Sequence, residues 1–176
     1  MAGKTVLILG GGIGGQVAAN VLRKSLSRDH RVILVDRRRE FVFSPSLLWV
    51  MVGQRKLEQI RRPLESLARK GIEVIQADVT RIDPVKKTVV AGEQTLSYDS
   101  LIVSLGADLA PETIPGLRET AHLFYEPSGA ERLWEAARSF SGGRVVILIS
   151  ATPFKCPAAP YEAAMLLDDY FKKKGF

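Results

Sequence analysis

Apolar residues recur along this chain in two rhythms. Short runs at residues 5–9, 31–36, 72–77, 100–105 and 145–149 are rich in Val, Ile and Leu. Apolar runs of that length predict strands, and the uninterrupted ones predict strands buried on both faces, as in a parallel sheet. Between them lie helical patterns. Residues 16–25 are expected to form a helix with Val17, Ala18, Val21 and Leu22 on one face. In residues 160–174, Ala163, Leu166, Leu167, Tyr170 and Phe171 follow the stripe of an amphipathic helix. Pro160 suits its first turn, Lys172–Lys174 its last, and Gly175 its stop.

The remaining stretches are less regular. Residues 41–53 are apolar but broken by Pro45, and are expected to cross the sheet edge. Residues 63–70 predict a short helix opened by Pro63 and closed by Gly71. Residues 80–97 alternate in short runs broken by Asp83-Pro84 and Ala91-Gly92, which predicts a small antiparallel excursion. Ser128 and Glu131 have capping-box spacing before a helix reaching about Phe140. The fold class is therefore α/β: a Rossmann-like domain over residues 1–127 with a small antiparallel β excursion. Residues 128–176 are expected to supply the first strand and helix of a second, incomplete Rossmann-like domain. A strand and helix with no returning strand bury neither partner well, so the chain is expected to be the N-terminal part of a longer protein or half of a split one.

The turn after the first run is Gly10-Gly11-Gly12-Ile13-Gly14-Gly15. It satisfies G-x-G-x-x-G, follows a strand, opens a helix, and is followed at the end of the next strand by Asp36. Gly10 allows a tight turn, Gly12 lets backbone approach a pyrophosphate, and Gly15 lets helix and strand pack closely. Ile13 and Gly14 belong to the same cradle at the helix N-terminus. Asp36 is placed to accept hydrogen bonds from a ribose. Arg37 is a candidate phosphate partner, and the trio Arg37–Arg39 leaves a 2′-phosphate open, which the charge of Asp36 opposes. The cradle alone does not separate FAD from NAD(P).

The single cysteine, Cys156, lies in Pro153-Phe154-Lys155-Cys156-Pro157, between the run at 145–149 and the last helix. That corner carries prolines and a thiol where the first carries glycines. The prolines stiffen the loop, and the nearby helix start with Lys155 suits a sulfur nucleophile. The plain alternative is a small buried hydrophobe.

Composition narrows the classes. The formal charge is +6, clustered at Arg37–Arg39, Arg61-Arg62 and Lys172–Lys174 without interleaved aromatics, so anionic ligands suit it better than nucleic acid. One cysteine forms no intrachain disulfide. No signal-peptide pattern and no membrane-length apolar run is visible, so a cytoplasmic setting is expected. No metal site is expected, and the oligomeric state is left open.

Residues 95–107, with Tyr98-Asp99 leading to Ser104-Leu105-Gly106, resemble the second flavin motif of two-dinucleotide-domain flavoproteins of the disulfide-reductase-like fold. That resemblance implies FAD. It places Gly106 and Ser104 beside the cofactor and the backbone of Val79 against the adenine. The segment around Pro45 and the loop around Cys156 narrow the likeness to sulfide:quinone oxidoreductases. Pro45 is counted by that likeness among the cofactor-binding residues, and Cys156 becomes a redox cysteine. The implied reaction is oxidation of sulfide, or a related sulfur species, with electrons passed to quinone. The resemblance also implies a second cysteine, a quinone pocket and membrane-binding helices in a C-terminal part. This chain would then need that part or a partner chain for catalysis, and the whole protein would be peripheral at the inner face of the membrane. An additional cysteine common near residues 123–128 is absent here. Three other readings stay open: a stand-alone FAD-binding module, an NADH:quinone reductase of the same fold, and the flavin subunit of a sulfide dehydrogenase.

Overall fold

A computed structural model describes residues 3–176. The chain divides into two compact units. One runs to Val42 and includes Arg61–Leu109; the other comprises Phe43–Ile60 and Ala110–Phe176.

The first unit is built on a parallel sheet. Strands β1 (Thr5–Leu9), β2 (Arg31–Asp36), β5 (Glu73–Gln76) and β9 (Ser100–Val103) lie in the order β5-β2-β1-β9. Helix α1 (Ile13–Ser25) joins β1 to β2. The order reverses beside β1, and the register sets Leu9 against both Val35 and Val103. Alternate residues face opposite ways along a strand, so each face has its own core. Ile8, Val32 and Leu34 pack with Ala19, Leu64, Leu67 and Ile72. Leu7, Leu9, Ile33 and Val35 pack with Val89 and Ala91. The latter two come from the antiparallel excursion, which forms as three strands, β6 (Val79–Asp83), β7 (Thr88–Ala91) and β8 (Gln94–Ser97). A two-stranded ribbon, β3 (Glu40–Val42) and β4 (Arg61–Pro63), precedes a 3₁₀ helix over Leu64–Lys70 that Gly71 closes in the left-handed region, at φ 83°.

Helix α1 starts three residues earlier than its apolar pattern predicts, because the glycine turn feeds directly into it. Its buried positions are Gly15, Ala19 and Arg23; Ala18 and Leu22 pack alongside, whereas Val17 and Val21 are exposed. Small residues bring the helix close to the sheet and turn the two valines outward. Arg23 is buried, and its guanidinium donates to the carbonyls of His30 (2.7 Å), Leu26 (2.9 Å) and Ser27 (2.5 Å). It thereby holds the whole connection from α1 into β2.

The second unit is helical. Helices α2 (Leu47–Val50) and α3 (Leu57–Ile60) precede α4 (Leu117–Thr120), α5 (Pro127–Ser139) and α6 (Ala159–Lys174). The segment interrupted by Pro45 turns through a 3₁₀ helix at Ser44–Ser46 into α2, and α2 packs against α5 and α6, burying Leu47, Leu48, Val50 and Met51. Gly53 sits at φ 72° with the Trp134 ring where its side chain would be.

Two expectations fail in this unit. The capping box at Ser128 and Glu131 does not form: α5 begins at Pro127 with Glu126 as its N-cap, and no side-chain cap bond is made. Proline at the first helical position moves the start ahead of Ser128. The expected buried strand at residues 145–149 is no strand. Val146 is 70% exposed and Leu148 66%. A parallel strand needs neighbours for its backbone groups, and no described segment pairs with this one. Among the described residues no helix is long and apolar enough to cross a membrane.

Candidate functional site

The first unit brings the glycine turn, Asp36, Arg37, Ser104 and Gly106 to the C-terminal ends of β1, β2 and β9, where the sheet order reverses. Such a crevice is where open α/β sheets bind ligands. Gly10 leaves β1 at φ 101°, and its amide donates to the Val35 carbonyl at 2.8 Å. A side chain on Gly10 would meet the Ser104 carbonyl at 2.4 Å. A side chain on Gly15 would lie 1.8 Å from the Gly10 carbonyl. Both glycines are therefore required by packing.

Gly12 differs. It is the N-cap of α1 in extended backbone, and a side chain there would meet nothing within 4 Å. No side chain caps α1, so the amides of its first turn, Ile13 and Gly14 among them, have no side-chain acceptor. Open room before free N–H groups at a positive helix end fits a dinucleotide pyrophosphate. Gly106, at φ 74°, is equally open.

Ser104 ties the two ends together. Its amide donates to the Leu9 carbonyl at 2.8 Å, and its hydroxyl reaches the carbonyls of Leu9 (3.0 Å) and Gly10 (3.2 Å). The structure thus places Ser104 as a brace on the glycine turn.

Asp36 is buried, and its carboxylate accepts four hydrogen bonds. Oδ2 takes the Gly11 amide at 2.6 Å and Arg38 Nη2 at 3.1 Å; Oδ1 takes the Arg38 amide at 2.7 Å and Arg38 Nε at 3.1 Å. Burial pushes the carboxyl up, but the Arg38 bonds and the Gly11 amide outweigh it and hold the group below its ordinary value. Arg38 was not singled out by the sequence pattern. Its signal was the spacing, since an aspartate commonly accepts from the amide two residues on. Gly11 was missed as well: a side chain there would meet Leu64 at 2.7 Å and Asp36 at 3.3 Å.

Arg37 points elsewhere, 3.8 Å from Asp108, with both side chains exposed. Val79 opens β6, and Ala77 before it donates to the Asp36 carbonyl at 3.1 Å.

Pro45 and Cys156 belong to the second unit. Pro45 lies in the 3₁₀ helix after β3. Cys156 is exposed, not a buried hydrophobe, and its backbone is left-handed at φ 52°. Its carbonyl accepts from the Ala159 amide at the start of α6. Tyr125 donates its hydroxyl to the Lys155 carbonyl at 2.7 Å and lies 3.4 Å from that of Cys156. Burial, and then the nearby Cys156, push the Tyr125 phenol up. Tyr125 carries no signal in the sequence, because its role depends on a loop thirty positions away in the chain.

Comparison with known proteins gives a consistent result. The family described as pyridine nucleotide-disulphide oxidoreductase matches residues 4–148. A second, described as the central part of the sulfide dehydrogenase (flavocytochrome c) flavoprotein chain, matches residues 135–175. The mitochondrial sulfide:quinone oxidoreductase of Mus musculus is 30% identical over 97% of this chain and 39% of its own length. The sulfide-quinone reductase of Aquifex aeolicus is 30% identical over 98% of this chain and 40% of its own. The crystal structure of the sulfide:quinone oxidoreductase from Aquifex aeolicus superposes with a TM-score of 0.81 at 27% identity, covering 98% of this chain and 40% of that one. The chain spans about two-fifths of the length of these relatives.

Proposed function

Since the chain belongs to the pyridine nucleotide-disulphide oxidoreductase family, we propose that it is the FAD-binding part of a flavin-dependent oxidoreductase that oxidises sulfide, or a related sulfur species, and passes electrons to quinone. The observation that carries this reading is the crevice at the sheet reversal. There the uncapped start of α1, the open positions at Gly12 and Gly106, and the buried carboxylate of Asp36 converge.

On this reading residues 1–127 form the flavin domain and residues 128–176 open the next. The first-turn amides around Gly12, Ile13 and Gly14 hold the pyrophosphate by N–H donation and the helix dipole. Asp36 accepts from ribose hydroxyls, the Val79 backbone meets the adenine, and Ser104 with Gly106 borders the isoalloxazine. FAD, when bound, supplies the two-electron relay between sulfur and quinone. Hydrosulfide loses two electrons and a proton to become zero-valent sulfur on a polysulfide or acceptor thiol; quinone gains two electrons and two protons. Cys156, exposed at a stiffened loop, is the sulfur nucleophile this chain contributes. The second cysteine and the quinone site come from sequence beyond these residues or from a partner chain.

The match of residues 135–175 to a sulfide dehydrogenase flavoprotein favours one second reading, in which a cytochrome replaces quinone as acceptor. One set of spectra tests both. The purified chain should retain or take up FAD, seen as flavin absorption. A colourless protein that ignores FAD but binds NADP overturns the cofactor assignment. With the complementary half supplied, anaerobic sulfide should bleach the flavin, and Cys156→Ser should prevent bleaching while FAD stays bound. Recovery of colour on adding quinone, or only on adding cytochrome c, separates the two acceptors.

A further inference from the structure

We propose that Arg38 is a displaceable latch on Asp36, which occupies the acceptor sites a ribose needs and must swing away when the nucleotide binds. The inference rests on the FAD reading above and adds a step to it.

An ionised carboxylate offers about four lone-pair positions. All four on Asp36 are taken: by the Gly11 amide, the Arg38 amide, and Nε and Nη2 of the Arg38 guanidinium. Two ribose hydroxyls therefore find no free acceptor. One or more of the four donors has to leave.

The four differ in how readily they can. The Gly11 amide belongs to the turn that Gly10, Gly15 and Ser104 lock, and its bond at 2.6 Å is buried. The Arg38 amide is main chain in the bend just past the end of β2, and its 2.7 Å bond to Asp36 closes that bend. The guanidinium is different. The Arg38 side chain is 60% exposed while that of Asp36 is 5% exposed. The exposed guanidinium can itself return to water, which the backbone donors cannot do; the buried carboxylate it leaves then needs the ribose hydroxyls as replacement donors. The ribose therefore enters by replacing the guanidinium. The two backbone amides stay and keep the carboxylate ionised and aimed.

The latch has two consequences. Without nucleotide it supplies the counter-charge that a buried carboxylate requires. With nucleotide it subtracts from the gain the ribose hydroxyls would otherwise bring. Removing the guanidinium should then increase the value of those hydroxyls to binding.

The test uses ADP and 2′,3′-dideoxy-ADP as probes, binding to the whole chain and to Arg38→Ala and Arg38→Met, with affinities from calorimetry. The ratio of the two dissociation constants isolates the ribose hydroxyls, because loss of positive charge near the phosphates affects both probes alike. The latch predicts that this ratio rises about fivefold in both variants. Thermal unfolding shows that each variant is folded, and the methionine variant keeps the apolar stem should alanine disturb packing. A ratio that is unchanged or smaller in the folded variants overturns the latch and leaves the cradle standing. A wild-type chain that binds both probes equally removes Asp36 from the ribose, and the latch with it. A chain that binds neither overturns the cradle itself.

Discussion

Gly15 stands so close to Gly10 that a side-chain carbon on it would lie 1.8 Å from the Gly10 carbonyl oxygen. That approach is how α1 closes on the end of β1. Two glycines of one motif are therefore needed for different reasons. Gly15→Ala must push helix from strand and should cost about 3 kcal/mol in urea unfolding. Gly12→Ala puts its methyl into open space. It should leave the unfolding midpoint almost unchanged and weaken FAD binding tenfold or more, because the methyl fills the room meant for phosphate. Equal effects of the two variants on stability would contradict this division.

Arg23 anchors three carbonyls from a buried position, all in the connection between α1 and β2. Arg23→Met keeps the stem and leaves those carbonyls without their donors. A loss of about 3 kcal/mol is expected. Hydrogen exchange should locate the added opening at residues 26–31 before the sheet.

Asp36 predicts how the first unit responds to acid. Its folded pKa lies below the usual value, so the unfolded chain binds the proton more readily. The stability it contributes is complete above the unfolded value, about pH 4, and is lost as pH falls through the lower folded value. Asp36→Asn should be less stable at neutral pH and show a shallower decline as the pH falls below about 4. A variant whose acid decline matches the wild type would show that other carboxylates govern it.

The left-handed backbone of Cys156 at φ 52° costs about 1 kcal/mol relative to glycine. Cys156→Gly should stabilise the second unit by about that amount, whereas Cys156→Val should destabilise it, as read by thermal unfolding.

Tyr125→Phe removes the hydroxyl that reaches the Lys155 and Cys156 carbonyls and little else. The expected signature is kinetic: Cys156 should react with iodoacetamide about two- to threefold faster as the loop loosens, with stability changed by about 1 kcal/mol. An unaltered alkylation rate would mean that the prolines alone hold the loop.

The central strands β1 and β2 are legible because each is a continuous apolar run that is buried in the middle of the sheet, whereas the outer β5 and β9 carry shorter apolar pairs and triplets and are half-buried. The glycine turn was legible for a similar reason. Only glycine tolerates the approach to Gly10, so the constraint is written into the residue type. Val17 and Val21 were misplaced on α1 because apolar spacing marks a face but not which face meets the sheet; Ala19 and Gly15 decided that by permitting closer approach. The run at residues 145–149 has the composition of a strand. A strand also requires a neighbour, and a property of pairs cannot be seen in one segment.

The sequence by itself determined the α/β class, the antiparallel excursion, the cradle with Asp36 behind it, and a lone thiol before the last helix. Those follow from local periodicity and from residues whose backbone demands are unusual. Only the tertiary structure decided that Arg38 saturates Asp36, that Ser104 braces Gly10, and that Tyr125 supports the loop of Cys156. The last two, and the Gly11 bond that completes the set on Asp36, depend on where groups far apart in the chain meet, and a hydrogen bond exists only at that meeting.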